Sequence, residues 1–402
     1  MQKKLLALAV AGALAPAAAM AQSSVEIYGR LNLGVDSWKQ EGAEGGSALD
    51  FDRRTRVYDG SSRVGFRINE ALGGGMRAFG VIETGVNVDT GNELGQSGGA
   101  NANTGFWASR DSYAGIGGAW GDVRFGRQSV WWSNGVIAQT GANYINTAVD
   151  GMINDPGLLA IPSARTSNVV SYNSPTFGGF NASLSYGASG GAAASGGVAF
   201  TGTTSNTESG SFTGTDQERN TLLGVTGRYT SGALRAQVDW ARNSNIAFVD
   251  GRDNTGLKIG VGWAYAPGSQ ISGIWGNLKN DSVPALAGFT TAGDDIEQNF
   301  WLINWEHMLG PWQLLAQYFR SDEVEGLANE EDTGATGFTL AAKYFLSKRT
   351  GVYASYSKIK NDARSFADSS GAGMSSVANG GMTPAQAGAD VTLMAIGVMH
   401  NF

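Results

Sequence analysis

Two histidines, His307 and His400, and no cysteine are all the imidazole and thiol that this chain of 402 residues can offer to chemistry. They stand in separate alternating segments, each near a turn, which favours neither a zinc site nor a nucleophilic triad. The stretch "GQSGG" at 95–99 fits the G-x-S-x-G pattern, but it lies in a glycine-rich run without the strand–turn–helix setting of a nucleophile elbow. "GIGGAWG" at 115–121 resembles a dinucleotide loop only superficially, because no helix follows. No cofactor or metal is expected. What remains is arginine. Period-two alternation turns Arg63 and Arg67 away from Val64, Phe66 and Ile68, and the same test groups Arg30, Arg77 and Arg124 with them. Guanidiniums that face carboxylates across an opening create a transverse field, which orients dipolar solutes and favours ions of one sign. That is the chemistry of passage, not of bond making.

The elements that position these groups are strands. In "VEIYGRLNLGVD", Val25, Ile27, Leu31, Leu33 and Val35 share one face, and Glu26, Tyr28, Arg30, Asn32 and Asp36 the other. The same alternation predicts strands at 62–70, 75–86, 106–117, 121–127, 167–174, 178–187, 219–231 and 233–243. It continues at 255–266, 269–278, 297–308, 312–321, 335–346, 350–360 and 390–402, sixteen in all, and none of the eight prolines falls inside one. Alternate links are long: 37–61, 87–105, 128–166, 188–218, 244–254, 279–296, 322–334 and 361–389. The others are tight, as in "GGAWG", "TSGA", "APGS", "LGP" and "SKRT". A soluble sandwich has no reason to sort its loops this way, whereas an outer-membrane barrel does.

Aromatics on the apolar faces gather at strand ends. Tyr229, Tyr265, Trp312, Tyr344 and Phe402 fall on the turn side, and Trp240, Trp275, Tyr318 and Tyr356 on the long-link side. Two such belts mark two membrane interfaces. In lipid every backbone polar group must be paired, which only helices or closed sheets achieve. No run after residue 21 approaches the ~18 apolar residues of a spanning helix. The expected fold is therefore all-β, a 16-stranded antiparallel transmembrane β-barrel with long external loops and short periplasmic turns. Sixteen strands enclose a lumen wide enough for water. Residues 1–21, with Lys3 and Lys4, an apolar stretch, and Ala19 and Ala21, read as a secretory signal ahead of a barrel domain at 22–402. The sixty glycines point to turns and loops, and the net charge of −7 with no basic tract argues against a nucleic-acid partner.

Several segments in order resemble the trimeric general porins of β-proteobacteria, the Neisseria/Comamonas/Burkholderia type. They are "SSVEIYGRLNLGV" at the start, "SSRVGFRINEALGGGMRAFGVIE" near 61–83 and "RDSYAGIGGAWGDVRFGRQ" at 110–128. "SNVVSYNSPTFGGF" at 167–180, "YFLSKRTGVYASYS" at 344–357 and the terminal "GVMHNF" complete the set. The resemblance spans the chain beyond residue 21, with departures at Met399, Ile68 and Ala71. It implies an outer-membrane homotrimer in contact with lipid and lipopolysaccharide, and passive diffusion of small hydrophilic solutes and ions. It also implies that the terminal Phe402 is the signal read by the outer-membrane barrel assembly machinery.

The resemblance further implies that the link at 128–166 folds into the lumen as a constriction loop. Asp150 and Asp155 would be its acidic side. Arg63, Arg67, Arg77, Arg124 and Arg127 would be the basic side, to which the resemblance adds Arg110 and Arg165. Such an eyelet predicts anion preference. The alternative within the class is a channel selective for organic anions, which an inward ladder of aromatics would favour, whereas alternation places only scattered ones such as Tyr28 and Phe345 inward. An outer-membrane enzyme would need a nucleophile–base pair that two distant histidines do not supply, and an adhesin would work through its loops alone. Acids such as Glu330, Glu331 and Asp332 either bind lipopolysaccharide-bridging cations or are simply solvated.

Overall fold

The computed structural model describes residues 23–89, 107–131, 158–159, 161–162, 165–187, 194–195, 221–246, 249–367 and 384–402. The expected leader at 1–21, "GQSGG" at 95–99, and Asp150 and Asp155 lie outside the described residues. Seventeen hydrogen-bonded segments form one sheet, and two of them are successive halves of one strand, so the barrel has sixteen. The strands are β1 (Ser24–Glu41), β2 (Phe51–Asp59 and Arg63–Gly73), β3 (Met76–Gly85) and β4 (Ser112–Gly118). Next come β5 (Gly121–Gln128), β6 (Thr166–Asn173), β7 (Phe180–Gly187) and β8 (Thr221–Ser231). β9 (Leu234–Ser244), β10 (Asn254–Ala266), β11 (Ser269–Val283) and β12 (Asp294–Leu309) follow. β13 (Trp312–Ser321), β14 (Ala335–Phe345), β15 (Thr350–Asn361) and β16 (Asp390–Asn401) complete the set.

Each strand pairs antiparallel with its sequence neighbour, and β16 closes on β1 from Arg30↔Asn401 to Glu41↔Asp390. Beyond that seam, Phe402 and Gly29 exchange both backbone bonds, at 3.0 and 3.1 Å. Closure therefore removes the edge that an open sheet would present to lipid.

The first long link is a correction. β1 runs on to Glu41 and β2 begins at Phe51, so the link shrinks to 42–50. Arg53, Arg54 and Arg56 gave 51–59 a loop-like composition. A strand end beyond the apolar band carries charge without penalty, and Asp36 holds the Arg56 guanidinium through both oxygens at 2.9 Å. The break between the halves of β2 is built: the Asn32 amide donates to Gly60 O (2.8 Å), and Ser62 Oγ accepts from Asn32 N (2.9 Å). β4 likewise starts at Ser112 and not 106, leaving 107–111 as a non-strand approach. The other strands match their expected positions, with β11 and β12 reaching further into the sixth link.

The glycines do more than turn the chain. On the lumen face an aromatic ring lies across the glycine paired with it in register. Tyr28 covers Gly65, Phe79 covers Gly115, Tyr58 covers Gly34, Tyr353 covers Gly397 and Phe300 covers Gly276. A Cβ at Gly65 or Gly115 would stand 2.5 or 2.6 Å from ring carbons. On the outer face the two belts appear as ring pairs: Trp312–Tyr344 (4.9 Å) and Phe180–Tyr229 (4.3 Å) on the turn side, Trp275–Trp301 (6.3 Å) and Phe338–Tyr356 (5.7 Å) on the other. His307 stacks between Tyr265 and Trp305 in the turn-side belt.

Candidate functional site

The inward faces of β1–β6 and the links entering β4 and β6 carry the arginines, and they fall into two tiers. In the upper tier the Glu83 carboxylate accepts from Arg110 Nε and from Tyr28 Oη (2.9 Å), with Arg63 Nε at 3.9 Å. Asp111 accepts from Arg165 Nε (3.2 Å) and from Ser129 N and Oγ (2.8 and 2.9 Å). Alternation would set Arg127 beside the outward Phe125. Gly126, at φ 140° and next to a register shift, breaks that alternation, and the Arg127 guanidinium reaches Ser109 O (3.1 Å) and Ser167 Oγ (2.8 Å). Arg110 stands on the approach to β4, where burial and the neighbouring Arg165 and Arg63 push its guanidinium down, against the pull of Glu83. Among the described residues four guanidiniums against two carboxylates leave this tier at 4 − 2 = +2. Arg63, Arg110 and Arg165 are only 16, 15 and 18% exposed, so salt screens them less than surface charges.

The lower tier holds Arg67, Arg77 and Arg124, nearer the turns. Arg67 reaches Glu26 at 3.3 Å, Arg124 holds Asp122 at 2.6 Å and Arg77 stands 4.0 Å from Asp122. Each also lies over an inward ring: Arg67 over Tyr28 (3.7 Å), Arg77 over Phe79 (4.5 Å) and Arg124 over Tyr113 (5.1 Å). The seven arginines are therefore a column along the wall, not one ring. Arg30, inward by the same alternation, instead donates to Asn401 Oδ1 (3.1 Å) beside the seam.

The described ends of the 129–165 link pack on the inner wall of β8 and β10. Val130 Cγ1 lies 2.5 Å from where a Cβ of Gly224 would be. The Trp131 ring and Pro162 Cγ each lie 2.8 Å from the same point at Gly256, so both ends of the link use one notch. Lys258, two residues on and 2% exposed, donates to Trp131 O, sits 4.8 Å from the Trp131 ring and pairs with Asp239 at 3.6 Å. Asp239 is fixed in turn by Thr226 Oγ1 (2.7 Å) and the Gln237 amide (2.6 Å). Sequence reasoning missed this latch. Its signal was present in "GLKIGVG": one lysine among glycines on the inward face is a socket with a charge in it.

Phe402, 41% exposed, lies across Gly29 and stacks on His400 at 6.5 Å. His400 Nδ1 in turn pairs with Thr350 Oγ1 at 2.9 Å. "GIGGAWG" forms the last residues of β4 and its tight turn into β5, with no helix after it.

A family model described as Gram-negative porin matches residues 7–364. The outer membrane porin protein 32 of Delftia acidovorans is 27% identical over 414 aligned residues that cover the whole of both chains. The major outer membrane protein P.IB of Neisseria gonorrhoeae is 31% identical over 189 residues, 46% of this chain and 48% of that one. Among solved structures, an anion-selective porin from Comamonas acidovorans superposes with a TM-score of 0.66 at 23% identity, covering 95% of this chain and 100% of that chain.

Proposed function

The chain belongs to the Gram-negative porin family, a family of channels, and from that membership we propose an anion-preferring pore narrowed by the 128–166 loop. It is an outer-membrane porin that lets small hydrophilic solutes and ions diffuse passively through its barrel. The observation that carries the anion preference is the +2 excess of guanidinium over carboxylate around Arg63, Arg110, Arg127 and Arg165. Fixed charge of one sign inside a low-dielectric wall concentrates the opposite ion. The anion-selective character of the Comamonas relative points the same way. The loop reading is supported by Trp131 and Pro162, which carry its two described ends onto the inner wall at Gly256. Asp150 and Asp155 would then supply acids facing the arginine column.

A homotrimer is supported by the outer face itself. β16 and β1–β3 present mostly aliphatic residues there, such as Leu31, Val35, Ile68, Ile82, Ile396 and Val398, with Phe66–Trp107 and His400–Phe402 as their aromatic pairs, while most of the paired aromatics run from Trp120–Tyr172 at β6 through β15. A sector poorer in belt aromatics suits contact with other copies better than contact with headgroups. Residues 1–21 act as a removable export signal, Phe402 as the residue the assembly machinery reads, and the outer loops meet lipopolysaccharide. Proteoliposome swelling tests the diffusion reading: rates for neutral sugars should fall steeply with solute size. No swelling from folded protein would contradict an open pore.

A further inference from the structure

We propose that the lower tier is a holding site for monocyclic aromatic carboxylates, of the benzoate type, on the way through the pore. The inference rests on the anion-channel reading and names its substrate class. Arg67, Arg77 and Arg124 alternate with Tyr28, Phe79 and Tyr113 on the inward faces of β1–β5, and register fixes their order. Arg124, Gly115, Phe79 and Asn69 form one row across the sheet. Arg67 stands two residues above that row and Arg77 two below, about 6.6 Å each way.

Each guanidinium lies over a ring; Arg124 spends its Nε and Nη2 on Asp122 and Arg67 its Nη1 on Glu26, which leaves Arg77 with the freest edge. The Arg67 and Arg77 side chains are 53 and 50% exposed, three times as open as the upper arginines. Among the described residues Arg77 reaches only Asp122, at 4.0 Å, and the Phe79 ring. Its donor fork can therefore take a carboxylate, while a flat ring stacks on a guanidinium face or against Phe79 and Tyr113, themselves edge-to-face at 6.4 Å. Chloride or acetate needs only charge, which the upper tier supplies. The packing of Tyr28 and Phe79 over Gly65 and Gly115 fixes the rings on the wall, so a ligand meets a preformed surface.

The test is block of chloride current through single channels in a planar bilayer, with benzoate, cyclohexanecarboxylate and acetate compared at equal concentration. Benzoate should reduce the current at a concentration at least tenfold lower than either of the others. In Phe79→Leu that ratio should fall to near one; each channel carries its own acetate reference, so a change in overall conductance does not enter. Equal potency of the three acids in the wild-type channel overturns the proposal without any variant, and so does a Phe79→Leu ratio as large as the wild type's. Loss of anion preference in a potassium chloride gradient would instead overturn the underlying channel reading, and the two failures are read separately.

Discussion

Lys258→Met tests whether the proposed constriction loop is held by its buried latch. The substitution keeps the length of the side chain but removes the ammonium paired with Asp239, itself 1% exposed, at 3.6 Å, leaving Arg228 as a more distant positive neighbour. It also leaves Trp131 O without the Lys258 donor. Breaking a buried ion pair from one side costs about 3–5 kcal/mol, because the partner charge stays behind. Thr226 and Gln237 still bond Asp239 and soften the loss, which places the effect at the lower end. A change of about 3 kcal/mol raises the population of unlatched loop by about a hundredfold. Single-channel records should then show frequent partial closures at voltages where the wild type is quiet. Adding Asp239→Asn should recover much of the quiet behaviour by removing the stranded charge. The paired change Val130→Cys and Gly224→Cys, in a chain with no other cysteine, should recover it under oxidising conditions and lose it on reduction. Quiet records from Lys258→Met, or oxidation that changes nothing, would refute the latch.

Arg63→Gln with Arg110→Gln takes the upper tier from +2 to 2 − 2 = 0, so the chloride-to-potassium permeability ratio should fall toward one, as zero-current potentials would record. Gly276→Ala would put a Cβ inside the Phe300 ring and should cost about 1–3 kcal/mol in urea unfolding from lipid vesicles, with Phe300→Leu restoring most of it. Phe402→Ala removes the ring that spans Gly29 and should lower the amount reaching the outer membrane several-fold, while refolded protein still conducts. Burial and the nearby Asp332 raise the Asp362 carboxyl. The folded loop then binds that proton more tightly than the unfolded chain, so its contribution is present in acid and is lost as pH rises through the raised value. Asp362→Asn should make proteolysis of the neighbouring loop independent of pH over that window.

The fold was legible because a barrel in lipid leaves its strands little freedom: one face must be apolar, the other can be wet, and alternate links can be short. Val25, Ile27, Leu31 and Val35 announced β1, and Trp312 and Tyr344 announced the interface. What failed was whatever lay beyond the apolar band. Phe51–Asp59 looked like a loop because a strand end in water has no hydrophobic face to advertise. The site was half legible for the same reason. Alternation turned Arg63, Arg67, Arg77 and Arg124 inward, yet their division into two tiers depends on register between strands distant in sequence. Arg110 and Arg165 came from family resemblance: Arg165 precedes β6, and Arg110, inside the expected strand at 106–117, stands on the irregular approach where alternation does not hold. The glycines were read as turns, but the register that sets Phe300 on Gly276 or Trp131 on Gly256 exists only after closure.

The zero-current potential of the wild-type protein in a planar bilayer under a potassium chloride gradient tests the central claim most directly. An open, arginine-lined pore predicts discrete conductance steps and a potential with the sign of chloride permeation, reduced as ionic strength rises. A potential with the sign of potassium permeation, or silence from folded protein, would contradict it.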